Sequence, residues 1–206
     1  MSIVRDFLNT ETCQRWVAAL DRQQGEATGI LRDGVDTPSD TRVTERVIEE
    51  RVESEATRVL RHLFTTLLPR STGREIEWFE SPQILRYHPG GHYELHADSE
   101  RYVKDHRAWQ RVMDRDVSLL LYLNEDFEGG ALSFYAFNYV YQPRRGDLLY
   151  FPSDHRFAHQ AHKVTAGRRY AVVSWAVFRG SRRIGTPPPG NAVFLGQDRP
   201  PPTGNP

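Results

Sequence analysis

The 206-residue sequence has almost no cysteine, and this limits both its redox chemistry and its compartment. Cys13 is the single cysteine, so no intrachain disulfide can form. That usage is typical of proteins in a reducing environment. Trp16, Val17 and Leu20 follow Cys13 at helical spacing, which indicates a buried structural thiol rather than a reactive one.

The sequence also lacks long apolar runs and any excess of charge. No segment approaches the roughly 20 apolar residues of a membrane span, and the first residues carry charges where a signal peptide needs an apolar run. Lys plus Arg equals Asp plus Glu at 27 each, which gives no overall field to attract nucleic acid or an anionic membrane. We therefore expect a cytoplasmic protein without nucleic-acid or membrane partners, whose oligomeric state the sequence leaves open.

The length predicts a single domain, which we place at residues 1–185. Hydrophobic residues make up 38% of the chain, enough for a packed core. Residues 186–206 form a Pro/Gly-rich tail, since the stretch from Gly185 holds seven of the 13 prolines. We expect this tail to be extended, although Ala192–Leu195 is apolar enough to pack onto the domain.

The periodicity of apolar residues changes near residue 70. Residues 1–70 are predicted to form helical support: Asn9 and Thr10 can cap a first helix, and apolar residues recur at helical spacing from Val43 to Leu67. The second pattern predicts one long helix that ends before Pro69. Ser99–Asp114 is charged and aromatic, with the spacing of a short helix or lid.

Residues 75–180 consist of short runs rich in β-branched and aromatic residues, separated by turn formers. This pattern predicts a jelly-roll core, so the fold class is mainly β with N-terminal helices. The predicted strands are Ile76–Phe79, Ile84–Tyr87, Tyr93–Ala97, Val117–Leu123, Ala131–Tyr135, Leu148–Phe151 and Tyr170–Phe178.

Six of the eight histidines fall into two groups that suggest a metal site. The first group is His88, His92 and His96. Pro89 and the two glycines after it make a helix implausible there, and residues 93–98 alternate like a strand. On a strand, His96 and Asp98 point to the same side, so they can supply two adjacent ligands. The second group (His155, His159 and His162) offers a third. Two histidines and a carboxylate leave positions open, as in non-haem Fe(II) sites that work with O2.

Three blocks of sequence carry a resemblance to a known family. In order, they read SPQILRYHPGGHYELHADSE, RDVSLLLYLNEDFEGGALSF and PRRGDLLYFPSDHRFAHQAHKVTAGRRYAVVSWA. In order and spacing, residues 81–178 resemble the prolyl 4-hydroxylase-like branch of the Fe(II)/2-oxoglutarate-dependent dioxygenase superfamily. The resemblance implies a double-stranded β-helix (a cupin-like jelly roll) that uses Fe(II), 2-oxoglutarate and O2, with ascorbate supporting activity.

The resemblance also implies roles for individual residues. His96 and Asp98 would bind iron together with His159, which lies ten residues before Arg169 as a histidine commonly does in the family. The alternatives for the third ligand are His162 and His155. Arg169 would bind the far carboxylate of 2-oxoglutarate, and the contacts expected to help it are Tyr122 and Tyr87. Arg168 would face solvent, because neighbouring strand residues point to opposite faces.

The implied reaction is hydroxylation of an unactivated C–H, with succinate and CO2 as co-products. The short chain favours a free amino acid or similar small metabolite as substrate, with a prolyl residue of a peptide or protein as the alternative. A hypothesis of another class is a cupin-like metal-binding or sensor module without turnover. Ser99–Asp114 begins beside the metal ligands, so Tyr102, Arg107 and Trp109 are candidates for substrate contact, unless the segment only covers the barrel rim.

Overall fold

The computed structural model describes residues 1–32, 35–37, 39–185 and 188–196. Within them the helices are α1 (Thr10–Leu20), α2 (Glu50–His62) and α3 (Leu68–Thr72). A π-helical turn (Leu63–Leu67) joins α2 to α3, and short 3₁₀ turns lie at Tyr135–Phe137 and His155–Phe157. None of the helices in these ranges is long and apolar enough to cross a membrane.

Most of the other residues in these ranges belong to β-strands. In chain order they are β1 (Ser2–Val4), β2 (Gly25–Ala27), β3 (Ile30–Arg32), β4 (Val35–Thr37), β5 (Arg42–Val43), β6 (Glu45–Val47), β7 (Ile76–Glu80), β8 (Gln83–Tyr87), β9 (His92–His96), β10 (Glu100–Val103), β11 (Ala108–Arg111), β12 (Val117–Tyr122), β13 (Phe127–Gly129), β14 (Leu132–Phe134), β15 (Tyr139–Tyr141), β16 (Leu148–Pro152), β17 (His159–Ala161), β18 (Val164–Gly167), β19 (Arg169–Phe178) and β20 (Ala192–Phe194).

Two antiparallel sheets enclose the interior. The major sheet has the order β1-β16-β12-β19-β8-β6-β2, and β7 pairs with the end of β19 and with β20. The minor sheet has the order β15-β14-β17-β9-β5. The predicted mainly β, jelly-roll class is therefore confirmed.

Alternation along β19 explains how one strand serves both the core and the interior. Tyr170 and Val172 pack into a cluster with Trp16, Leu60 and other helical residues on the outer face of the major sheet. The alternate residues of β19, which include Ala171 and Val173, face the space between the two sheets. The helices thus support one face of the sheet, and the opposite face is free to build a cavity.

The predicted long N-terminal helix is wrong at both ends. Residues 42–47 form β5 and β6, and α2 begins only at Glu50, after the Glu49 side chain accepts a hydrogen bond from the Val52 N–H (2.6 Å). The helical path also continues past Pro69, because the π-helical turn shifts the hydrogen-bond register and places this proline in the first turn of α3. A proline costs nothing there, since its missing N–H would be unpaired anyway.

Two further segments differ from expectation or extend it. Ser99–Asp114 contains the β10–β11 hairpin rather than a helix, and Tyr102 lies opposite Trp109 across its strands. In the Pro/Gly-rich segment, Ala192–Phe194 pairs with β7, and Leu195 is buried. Residues 186, 187 and 197–206 of the predicted tail lie outside the described residues.

Candidate active site

The structure brings together His96, Asp98 and His159. His96 ends β9 and lies directly opposite His159 on β17, while Asp98 follows His96 by two residues. One ligand atom from each residue lies within 4.8 Å of the others. The Asp98 oxygens lie 3.7 Å from Nε2 of His96 and 3.9 Å from Nε2 of His159.

Neighbouring groups orient all three side chains. The Nδ1 atoms of His96 and His159 contact the carbonyls of Glu94 (2.7 Å) and Phe157 (3.0 Å), which directs both Nε2 atoms toward the shared point. The Ser118 hydroxyl donates to Oδ2 of Asp98 at 2.6 Å. A metal ion needs ligands fixed in this way, and two imidazoles with one carboxylate are the donor set of non-haem Fe(II).

The electrostatics suit a cation. Burial and the adjacent His159 lower the pKa of His96 to about 3, so its imidazole is neutral and able to donate a lone pair. Burial alone raises the pKa of Asp98, but both histidines and the Ser118 hydrogen bond outweigh that effect and lower it overall. The site therefore presents a carboxylate beside the neutral imidazole of His96.

The two alternative histidines point elsewhere. Nε2 of His162 lies 2.6 Å from the Ser133 hydroxyl. His155 contacts the Glu100 carboxylate with its ring and its backbone N–H, and it stacks on Trp109. Neither belongs to the cluster of ligand atoms that contains His159.

The three clustered side chains line a cavity of about 520 Å³ between the sheets. Arg169, Tyr122 and Tyr87 line the same cavity. Arg169 is buried, its Nη1 donates to the carbonyl of Gly130 (2.5 Å), and its Cζ lies 3.9 Å from the centre of the Tyr87 ring. Its Nε is buried without a hydrogen-bond partner in the described residues. A buried guanidinium with a free donor fits a carboxylate ligand.

Arg168 lies on the other face of the strand. It forms an ion pair with Asp21 (2.9 Å), and about half of its side chain is exposed. Gly167 has φ +73°, a left-handed conformation that favours glycine, and this sharp turn sets the register at which Arg169 enters the cavity.

The three predicted substrate contacts do not line this cavity. Tyr102 and Trp109 are largely exposed and contact each other edge-on (5.6 Å between ring centres), while Arg107 occupies the hairpin turn with φ +48°. From the hairpin region, the cavity is lined instead by Glu100, Arg101, Val112 and Met113.

Sequence reasoning missed three cavity residues that contact the clustered side chains or their neighbours. Tyr93 stacks on His96 with 3.5 Å between ring centres, and the Arg42 Cζ lies 5.0 Å from the centre of the Tyr93 ring. Ser118 bonds Asp98 from β12. Alternation along β9 gave no signal for the Tyr93 contact, and Arg42 and Ser118 reach the site only through strand pairing.

Comparisons with known proteins agree with this geometry. The sequence model of the 2OG-Fe(II) oxygenase superfamily matches residues 82–177. The chain is 24% identical over 199 residues to prolyl 4-hydroxylase 1 of Arabidopsis thaliana, covering 84% of this chain and 67% of that protein. It is 40% identical over 74 residues to human prolyl 3-hydroxylase 3, covering 34% of this chain but only 10% of that protein.

A solved structure shows the same fold. It is a prolyl hydroxylase of Trichoplax adhaerens in complex with a hypoxia inducible factor oxygen degradation domain peptide fragment, with a TM-score of 0.68, 22% identity and coverage of 85% of this chain and 82% of that one. Residues 82–177 thus match the 2OG-Fe(II) oxygenase superfamily, and the relatives and the structure to which the chain is similar are prolyl hydroxylases.

Proposed function

We propose that this protein hydroxylates a prolyl residue of a peptide or protein, with O2 and 2-oxoglutarate as co-substrates and Fe²⁺ held by His96, Asp98 and His159. The observation that carries the proposal is the convergence of these three side chains in one cavity with the buried Arg169. Iron and 2-oxoglutarate together supply the oxidation, which converts one C–H and O2 into C–OH while 2-oxoglutarate becomes succinate and CO2.

The side chains of the cavity would hold and shield the reactants. Arg169 offers its unpaired Nε and its charge to the far carboxylate of 2-oxoglutarate. Burial raises the pKa of Tyr122, so its hydroxyl stays protonated and can donate to the same carboxylate. Tyr87 flanks the Arg169 guanidinium and excludes water from that side.

The substrate class rests on the relatives. Both sequence relatives described above are named prolyl hydroxylases, and the Trichoplax structure contains a peptide. The free amino acid that the short chain suggested has no counterpart among them. These names therefore favour a prolyl residue within a peptide over a free metabolite.

The test is a succinate assay with Fe²⁺, ascorbate and 2-oxoglutarate, comparing proline-containing peptides with free L-proline and other free amino acids. Mass spectrometry should detect the gain of one oxygen on a peptide prolyl residue, and Asp98→Ala should abolish it. If only free amino acids were oxidised, the proposal of a peptide substrate would be wrong. Absence of succinate under every condition would favour the metal-binding module.

A further inference from the structure

The cavity lining carries more positively charged side chains than the binding of iron and 2-oxoglutarate requires. Among the described residues, five arginines and two carboxylates line it: Arg42, Arg46, Arg101, Arg115 and Arg169, with Asp98 and Glu100. Guanidinium groups keep their charge at any physiological pH. A basic cavity of this kind favours anionic ligands.

Several of these charges already have partners. Arg115 forms a two-pronged ion pair with Glu80, and Glu100 is held by the ring and backbone N–H of His155. Arg169 is the proposed contact of the far carboxylate of 2-oxoglutarate. Asp98 belongs to the proposed iron site. Arg115 and Arg169 are therefore already engaged, and the two carboxylates do not attract an anion.

Arg42 and Arg46 are different, because both keep a free donor at the cavity. In the described part of the chain, the Nε atoms of both are buried without a hydrogen-bond partner. Arg42 bonds only the Gly29 carbonyl (Nη1, 3.2 Å) and has no carboxylate partner among the described residues. Arg46 forms an ion pair with Glu53, with 3.6 Å between Nη2 and Oε1, and this contact leaves its Nε unpaired. A buried donor left unpaired is costly, and a ligand oxygen would satisfy it.

The position of Arg42 places this charge beside the reaction centre. Strand β5 pairs with β9, and Arg42 lies opposite Tyr93. The Arg42 Cζ is 5.0 Å from the Tyr93 ring, which stacks at 3.5 Å on the His96 ring. The Tyr93 ring therefore contacts both the Arg42 guanidinium and the ring of a proposed iron ligand.

We propose that Arg42 and Arg46 bind a carboxylate of the prime substrate, close to the carbon that is oxidised. This inference rests on the proposed function and deepens it. In a peptide, the carboxylate is an aspartate or glutamate side chain next to the target proline. In a free amino acid it is the α-carboxylate, and the two sources share the same chemistry of recognition by paired guanidinium donors.

The experiment compares two otherwise identical proline peptides, one with glutamate and one with glutamine beside the proline. The wild-type protein should prefer the glutamate peptide in kcat/KM by roughly tenfold or more, as expected for a charge-assisted hydrogen bond. In Arg42→Gln/Arg46→Gln this preference should fall to about one. The matched control is Arg58→Gln, an exposed arginine on α2 away from the cavity, which should keep the preference.

A wild-type preference near one, or a preference that survives in the double variant, would overturn the inference while the proposed function stands. Arg46→Gln alone serves if the double variant does not fold, because the Arg46 side chain is 43% exposed. It should then lower the preference measurably.

Binding without turnover separates this inference from the proposed function. Fluorescein-labelled versions of both peptides are titrated against protein loaded with Mn²⁺ and 2-oxoglutarate, and fluorescence anisotropy is measured. If no peptide is oxidised but the glutamate peptide still binds more tightly through Arg42 and Arg46, the carboxylate site at these arginines stands and the proposed function fails. Equal binding of both peptides overturns the inference. Oxidation of free L-proline that is lost in Arg42→Gln would identify the α-carboxylate as the bound group.

Discussion

Replacing Arg169 by alanine should raise the KM for 2-oxoglutarate roughly 10²-fold, the loss of about 3 kcal/mol from a charge-assisted pair. The magnitude follows from the surroundings of the side chain. Arg169 is 2% exposed, and its guanidinium is held by the Gly130 carbonyl and the Tyr87 ring and retains an unpaired Nε. Such a donor is already ordered, so little conformational entropy is lost when a carboxylate binds.

Arg168→Ala is the matched control, since it removes the same side chain from the opposite face of the strand. Its ion pair with Asp21 is about half exposed, and such pairs contribute about 0–1 kcal/mol. We expect an unchanged KM for 2-oxoglutarate. Succinate formation is measured against 2-oxoglutarate concentration for both variants, with circular dichroism as the check on folding. Equal effects from the two variants, or a folded Arg169→Ala with a normal KM, would refute the assignment of Arg169.

Three further predictions concern the metal, the helices and the hairpin. His159→Ala should abolish Fe²⁺ binding measured by calorimetry, whereas His162→Ala should bind normally; the reverse result would move the third ligand. The Trp16 indole N–H donates to the Glu55 carboxylate and, with the help of two arginines, lowers the pKa of Glu55 to about 2. Glu55→Gln should therefore destabilise the fold by about 1–2 kcal/mol at pH 7. That difference should shrink as pH falls from about 4.5 toward 2, as followed by urea unfolding, and a pH-independent difference would contradict it. Trp109→Ala removes the ring stacked on His155 and should speed hydrogen exchange in β10–β11; unchanged protection would show that the stack does not hold the hairpin.

The core strands were predictable from the sequence because their alternation is local. Along β19, Tyr170, Val172, Ala176 and Phe178 belong to the apolar cluster shared with the helices, and Arg169 falls on the opposite face. The same logic brought His96 and Asp98 to one side of a strand. Register between distant strands is not local, so the pairing of His159 with His96 had to come from family spacing.

The errors have physical causes too. Val43 and Val47 are four residues apart, which matches a helix, but Thr41, Thr44 and Val47 are β-branched and pack well on a pleated sheet. Partners about 40 to 50 residues away settle the competition, since β5 pairs with β9 and β6 with β8. The helical reading from Val43 onward therefore hid Arg46, and Arg42 lay just before that segment without a site assignment.

The short strand Ala192–Phe194 has a consequence for how copies of this protein meet one another. It occupies the side of β7 that β19 leaves free, so the backbone groups of β7 are paired along both edges. An unpaired strand in that position would be a template for adding strands from another molecule. Here the outermost strand is only three residues long and offers few free N–H and C=O groups. Ala192–Phe194, which lies in the segment predicted to be an extended tail, thus protects this edge of the sheet from the addition of a strand from another molecule.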